Sequence, residues 1–92
     1  RVLSGKQEGQ IYLLDQNKFS LGYSSQNDFI LSGYAEVCDK HAYIFKRDNK
    51  VFIETTGEGS EVLVNYRQID QQAIKKGDVI KIGTAQLQYY EI

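Results

Sequence analysis

The stretch LGYSSQNDFILSGYAEVCDKHAYIF, residues 21–45, decides the fold of this chain of 92 residues. Short apolar runs alternate in it with two polar segments, residues 24–27 and 32–40. Apolar runs of this length, bounded by Ser, Asn, Asp and Gly, are typical of β-strands joined by turns. The stretch therefore predicts three strands separated by two polar loops, and we expect the rest of the chain to form sheets that hold these loops.

Further strands are predicted on both sides of this stretch. Residues 18–22 place Phe19 and Leu21 on one face and Lys18 and Ser20 on the other, which is the period of a half-buried strand. The runs HAYIFKR and KVFIE flank Asp48-Asn49 and predict a hairpin. The predicted strands cover residues 10–14, 18–22, 28–31, 41–47, 50–54, 61–64, 67–69, 78–82 and 86–92.

The segments between these strands are predicted to be turns and loops. Ser4-Gly5 indicates a turn, residues 5–9 a hairpin connection, and residues 55–60 a third polar loop. Residues 70–76 contain too few apolar side chains for a helical stripe and are predicted to form a loop. Many short strands without a helix predict an all-β sandwich or barrel with mostly antiparallel neighbours.

Composition limits the classes of function. A hydrophobic content of 41% with seven Tyr and four Phe indicates a globular chain, and its length predicts one domain over residues 1–92. The absence of Met and the start at Arg1 suggest a domain excised from a longer protein. A net charge of −1 provides no basic field for nucleic acid, and no apolar run approaches the roughly 18 residues of a membrane span.

The residues that could carry chemistry are few. The single cysteine, Cys38, excludes an internal disulfide and indicates a reducing compartment, the cytoplasm. Cys38, Asp39 and His41 are potential metal ligands, but nothing elsewhere completes a set. A Cys38–His41 nucleophilic pair or redox switch stays open as an alternative, although no oxyanion element accompanies it. The glutamates at 54, 58 and 61 are interpreted as a solvated rim, so we predict no enzyme, no metal and no cofactor.

The order of the loop segments resembles the forkhead-associated (FHA) domain. The resemblance rests on Leu21-Gly22, Asn27-Asp28, the run from Val37 to Ala42, Val64-Asn65, and the run from Ile74 to Gly83. It implies a sandwich of two twisted antiparallel sheets with recognition loops at one end. Members of that family typically bind phosphothreonine in a partner protein.

The residues that would bind the phosphate differ in this chain. Tyr23 stands where the family has arginine, and Cys38 and Asp39 stand where it has serine and a basic residue. A dianionic phosphate favours charge-assisted donors, above all a bidentate arginine. The sequence therefore predicts a protein-interaction module that does not depend on phosphorylation. The alternative is a divergent phosphothreonine reader that uses Lys40 and the loop hydroxyl groups.

The resemblance also assigns candidate residues to two roles. Those expected on the partner-binding loop face are Tyr23, Ser24, Ser25, Cys38, Asp39, Lys40, Ser60 and Arg67. Those expected to brace the loops are Gly22, Asn27, His41 and Asn65.

Degenerate domains of this kind occur in bacterial secretion systems. They include the amino-terminal region of the type VII ATPase and the cytoplasmic domain of type III inner-membrane ring proteins. The run VLVNY at residues 62–66 is somewhat similar to the former. We expect a protein or peptide partner at the loops, no nucleic acid and no membrane insertion, with a parent protein that could be membrane-anchored.

Overall fold

The computed structural model describes residues 1–3, 5–57 and 59–91, without the side chain of Lys6. A short 3₁₀ turn, Gly5–Gln7, precedes the strands. The strands are β1 (Lys18–Gly22), β2 (Phe29–Ile30), β3 (Ala42–Arg47), β4 (Lys50–Thr55), β5 (Val62–Val64), β6 (Arg67–Ile69), β7 (Gln71–Ile74), β8 (Val79–Ile82) and β9 (Ala85–Gln88).

The strands form two sheets that enclose one core, so the predicted all-β sandwich is confirmed. A five-stranded sheet has the order β2-β1-β3-β4-β7, and a four-stranded sheet has the order β6-β5-β8-β9. All pairs are antiparallel except β1 and β2, which run parallel with Leu21 opposite Phe29. The residues that alternate inward from both sheets include Phe19, Leu21, Ile44, Ile53, Val62, Val64, Ile80 and Ile82.

Two hairpins close through turns with positive φ at both central residues. Asp48 and Asn49 have φ of 52° and 62°, and Asn65 and Tyr66 have φ of 49° and 69°. Turns of this kind match the right-handed twist of the paired strands. Both predicted turns are confirmed. Tyr66 is unusual there, because bulky residues rarely adopt positive φ, and its side chain is 73% exposed.

The predicted strand over residues 10–14 is wrong. Strand propensity is overridden by packing: the Tyr12 ring stacks on Phe29 at 4.4 Å, and its hydroxyl donates to the Ile30 carbonyl at 3.1 Å. Burial raises the pKa of Tyr12. The segment therefore crosses the edge of the sandwich, and the neighbouring Ile11 and Leu13 are each 65% exposed.

The predicted loop over residues 70–76 is also wrong, because β7 lies within it. The strand pairs with the outer edge of β4, with Val51 opposite Ile74 and Glu54 opposite Gln71. Its residues alternate in burial, and Ile74 belongs to the core. The sequence does not show this alternation of buried and exposed residues, because Gln71 and Gln72 are identical and polar. The pairing with β4 decides which of them turns inward.

The start of the chain adds a bridge to the second sheet. Val2 pairs with Leu87, and its amide donates to the Gln10 carbonyl at 2.9 Å. The predicted connection over residues 5–9 thus returns the chain to Val2, with the Gly9 amide donating to the Val2 carbonyl at 2.8 Å. Ser4 of the predicted turn, Glu58 of the predicted rim and Ile92 of the last predicted strand lie outside the described residues.

Three connections meet at one end of the sandwich, here called the loop end. They are the first loop (residues 23–28), the second loop (residues 31–41) and the third loop (residues 56–61). The antiparallel pairing places the turns at 48–49 and 65–66 at the opposite end. The expectation of loops gathered at one end is confirmed.

The middle of the second loop is fixed against the turn between β8 and β9. The Thr84 amide donates to the Ala35 carbonyl at 3.0 Å, and the Ala35 amide donates to the Thr84 hydroxyl at 3.0 Å. Gly83 has φ of 56°, and a Cβ atom there would lie 2.5 Å from the Ala35 carbonyl oxygen. Only glycine fits this approach without moving the loop.

We expect Gly83→Ala to lower the free energy of unfolding by about 2–4 kcal/mol, because backbone strain adds to a clash with main-chain atoms. Gly77→Ala is the matched control. Gly77 also has positive φ, 91°, but a Cβ atom there meets nothing within 4 Å. Gly77→Ala should add only backbone strain and so lower the free energy of unfolding by about 1–2 kcal/mol. Urea unfolding followed by circular dichroism measures both, and equal losses would contradict the close approach at Gly83.

Candidate interaction site

Main-chain hydrogen bonds join the first loop to the second. The Tyr23 amide donates to the Cys38 carbonyl at 2.9 Å, and the Ser24 amide donates to the Asp39 carbonyl at 3.3 Å. These bonds continue the strand pairing of β1 and β3 into the loops, where the His41 amide donates to the Leu21 carbonyl at 2.9 Å. The first and second loops are therefore cross-linked through their main chains.

The buried Asn27 side chain reinforces this junction. Its Nδ2 donates to the Ser24 carbonyl at 2.8 Å and to the Asp39 carbonyl at 2.5 Å. A Cβ atom at Gly22 would lie 2.8 Å from the same Nδ2 and would also clash with the Asp39 carbonyl. Gly22 and Asn27 thus lie where the bracing hypothesis places them. The Asn27 Oδ1 atom is buried and has no hydrogen-bond partner among the described residues.

His41 connects the second loop to the third. Its Nδ1 accepts a hydrogen bond from the Cys38 amide at 3.1 Å, and its Nε2 lies 2.7 Å from the Glu61 carbonyl oxygen. Because the amide can only donate, Nδ1 is unprotonated, and Nε2 carries the hydrogen that it donates to Glu61. The ring is 1% exposed and so acts entirely within the protein.

Two further side chains tie the third loop to the second. The Cys38 thiol lies 3.2 Å from the Gly59 carbonyl oxygen and can donate a weak hydrogen bond to it. The Thr56 hydroxyl donates to the carbonyl oxygens of Lys40 at 2.7 Å and His41 at 3.1 Å. Sequence reasoning missed Thr56. The available signal was a threonine beside glycine directly after a strand, where hydroxyl groups often bond to neighbouring main chain.

Four of the eight candidate contact residues expose their side chains at the loop end. Tyr23 is 49% exposed, and Ser25, Asp39 and Lys40 are also exposed. Ser24 is half-buried, and its hydroxyl accepts a hydrogen bond from the Gln26 amide at 3.1 Å. Cys38 is half-buried against the third loop.

Three candidates do not lie where the sequence placed them. Ser60 is at the loop end, but it is buried, with 5% exposure, so its side chain is not part of the outer surface. Arg67 begins β6 at the opposite end of the sandwich, opposite Val64. Asn65 lies at that end too, where it donates to Asp78 at 2.9 Å and accepts from the Val79 amide at 3.0 Å. It braces the far turn rather than the loops.

The exposed loop surface has little positive charge. Lys40 contributes one ammonium group, the exposed Asp39 precedes it in the chain, and the exposed Glu61 ends the third loop. Within residues 1–3, 5–57 and 59–91, no group of three or more His, Cys, Asp or Glu could hold a metal ion. In the same ranges, no helix is long and apolar enough to cross a membrane.

Several solved structures have the same fold as this chain. An FHA domain of the CT664 protein from Chlamydia trachomatis is 28% identical, with a TM-score of 0.89 over 100% of this chain and 94% of that one. An FHA domain from a study of phosphothreonine-dependent interactions is 18% identical, with a TM-score of 0.89 over 100% and 93%. The FhaA FHA domain, solved in complex with the intracellular domain of Rv3910, is 20% identical, with a TM-score of 0.79 over 88% of each chain.

A family model matches the full sequence, residues 1–92; it describes the cytoplasmic domain of the inner-membrane component of the type III secretion system. No curated protein matches the chain. The similarity of residues 62–66 to the type VII ATPase therefore pointed to the wrong secretion system. The FHA resemblance is confirmed, and the chain belongs to the family of cytoplasmic domains of the type III secretion inner-membrane component.

Proposed function

We propose that this domain binds a protein partner through its loop end and that the partner need not be phosphorylated. The observation that carries the proposal is Tyr23, a half-exposed phenol at the position where the FHA resemblance expects the phosphate-binding arginine. Its amide is hydrogen-bonded to the second loop, so the residue is held in place. The loop frame is retained while the chemistry of its surface differs.

The charges around Tyr23 oppose tight phosphate binding. Losing one charge-assisted hydrogen bond weakens binding by roughly 1.5–3 kcal/mol. The exposed Asp39 follows Cys38, whose carbonyl accepts from the Tyr23 amide, so a carboxylate lies close to the expected phosphate position. A like charge there adds repulsion. Lys40 is the basic residue beside Asp39 that could offset it.

A protein surface fits the loop end better. Exposed tyrosines are frequent hot spots of interfaces, because they combine a rigid apolar ring with a hydroxyl group. The loops are cross-linked through the main chain, so little conformational entropy is lost when they bind. Ser25, Asp39 and Lys40 around Tyr23 supply a polar rim.

The family supports a location for this interaction. Its members are described as cytoplasmic domains of an inner-membrane component. We therefore place the domain in the cytoplasm, attached to the membrane through another part of the parent protein, with a cytoplasmic component of the secretion apparatus as its partner. It acts there as an interaction module without catalytic activity.

We expect Tyr23→Ala to weaken binding to such a partner at least tenfold, because the ring is the largest exposed apolar group placed in the proposed interface. Tyr66→Ala is the matched control, since it removes an exposed tyrosine at the opposite end. Calorimetric titration with the partner as purified from cells measures both variants. Phosphatase treatment of the partner should leave the affinity unchanged, and loss of binding after that treatment would refute the proposal.

We expect the double variant Tyr23→Arg with Cys38→Ser to gain saturable binding of phosphothreonine peptides, because it restores a bidentate donor on an intact frame. NMR titration with a degenerate phosphothreonine library measures this, with the same peptides unphosphorylated as the control. Saturable shifts at Ser24 and Lys40 in the unsubstituted domain would instead favour the divergent phosphothreonine reader. No binding by a folded double variant would show that the loops differ in shape from those of FHA domains.

We expect His41→Ala to lower the free energy of unfolding by about 2–4 kcal/mol, because it leaves the Cys38 amide and the Glu61 carbonyl without their buried partner. His41→Gln places an amide near the Nε2 position and should recover part of this loss. Hydrogen exchange of the Cys38 amide provides a local measurement. Unchanged exchange in His41→Ala would rule out the role of the ring as a connection between the loops.

A further inference from the structure

The outer face of the five-stranded sheet carries more aromatic surface than a solvent-facing sheet needs. The inward residues of β3 and β4, such as Ile44 and Ile53, are buried in the core. The alternate residues Tyr43, Phe45 and Phe52 therefore point to the opposite face, where they are half-buried. Antiparallel sheets with one face on a core usually have polar side chains on the other. Three aromatic side chains on this face are therefore unusual and require an explanation.

The aromatic residues form a continuous apolar row with their neighbours. Phe45 and Phe52 are directly opposite each other, and their ring centroids are 5.3 Å apart at an interplanar angle of 14°. Ala73 continues the row on β7 as the partner of Phe52. On the other side, Phe45 pairs with Lys18 of β1. The apolar part of the row therefore crosses three strands, β3, β4 and β7, and Lys18 of β1 ends it.

Basic side chains lie beside this row. The Lys18 ammonium lies 4.5 Å from the Tyr43 ring centroid, and the Arg47 guanidinium lies 5.6 Å from that of Phe45. Lys50 is opposite Arg47 in the strand pairing. Two acids lie at the Tyr43 end of these rows: Glu54, opposite Tyr43, and Asp28, which accepts a hydrogen bond from the hydroxyl of Ser20, the β1 partner of Tyr43. Asp48 lies in the adjoining turn. The cations therefore lie at the Phe45–Phe52 end of the face, whereas Glu54 and Asp28 lie at the Tyr43 end.

Hairpin stability accounts for only part of this arrangement. A cross-strand pair such as Phe45–Phe52 stabilises the pairing of β3 with β4. The hairpin already has a favourable turn at Asp48-Asn49 and an inward hydrophobic side. It requires neither a third outward aromatic residue nor cations on both sides of the row. A binding surface accounts for both features, since aromatic residues and arginine are enriched at interface centres.

We propose that this outer sheet face docks an amphipathic helix of a partner protein, with acidic residues beside the apolar stripe of the helix. A helix packs naturally along a sheet, with its stripe on the Phe45–Phe52 row. Carboxylates at the edges of the stripe would meet Lys18, Arg47 and Lys50, which gives the surface its specificity. The face lies along the strands rather than at the loop end, so the domain can bind two partners at once.

The test is an NMR titration of the labelled domain with designed peptides of about 18 residues. One peptide has Leu on one helical stripe with Glu on both sides, and the other has Lys in place of Glu. We expect saturable shifts at β3 and β4 with the Glu peptide and at least tenfold weaker binding of the Lys peptide. The loop-end variant Tyr23→Ala should bind the Glu peptide as the unsubstituted domain does, which separates this result from the proposed function.

Surface variants identify the residues responsible. The double variant Arg47→Glu with Lys50→Glu should bind the Glu peptide at least tenfold more weakly. Its urea midpoint should not change, because both side chains are exposed. Lys76→Glu, an exposed reversal outside these rows, is the control and should have little effect. Equal affinity for both peptides, or no shifts at millimolar peptide, would overturn the proposal. Shifts at β3 and β4 with oligothymidylate alone would assign the face to nucleic acid and overturn it as well.

Discussion

The loop end depends on one buried imidazole. Its two nitrogens face opposite partners: Nδ1 receives the amide of the second loop, and Nε2 donates to the carbonyl that begins the return into β5. A single neutral tautomer satisfies both partners, so the ring fixes two loops that are far apart in the sequence. Alanine at this position would leave the Cys38 amide and the Glu61 carbonyl without this partner, which costs more than the hydrogen bonds themselves contribute. The position of the second and third loops relative to each other therefore depends on the two hydrogen bonds of His41.

The two proposed surfaces have different physical characters. The loop end has a half-exposed tyrosine and charges of both signs on a rigid main-chain frame. The outer sheet face carries the stacked rings of Phe45 and Phe52 and has Lys18 and Arg47 over neighbouring rings. A domain that binds through both surfaces could contact two neighbouring proteins at the same time. This arrangement suits a family that belongs to a multi-component secretion system.

Much of the fold was predictable because local signals agreed with it. The paired turn residues Asp48-Asn49 and the alternation from Lys18 to Gly22 specify hairpin and strand directly. The errors occurred where tertiary packing overrides local preference. Residues 10–14 have strong β propensity, yet Tyr12 finds a better position on the core side against Phe29. Residues 71–74 have a weak β propensity, yet they form a strand because they pair with the otherwise unpaired edge of β4.

The candidate site was predictable in part for a similar reason. The FHA resemblance assigned His41, Asn27 and Gly22 to the bracing of the loops, and the contacts of all three lie within these loops. Asn65 and Arg67 were misplaced because sequence order does not show that the hairpin of β5 and β6 carries its turn to the far end. Thr56 was missed because a threonine beside glycine after a strand indicates a bond to nearby main chain, and the sequence does not show that the carbonyl oxygens it reaches belong to the second loop. The chemistry of a partner surface is the least predictable, because it depends on side chains that the fold leaves free.

The atoms that accept the bonds of the loop end have a wider consequence. Cys38, Asp39, Gly59 and Glu61 all take part through their carbonyl oxygens, which every amino acid possesses. The hydrogen bonds of the loop end therefore depend little on which side chains stand at positions such as 39 and 61. Substitutions there can change the side chains on the outer surface while these main-chain hydrogen bonds are kept. An FHA domain that is 18% identical to this chain has the same fold, with a TM-score of 0.89.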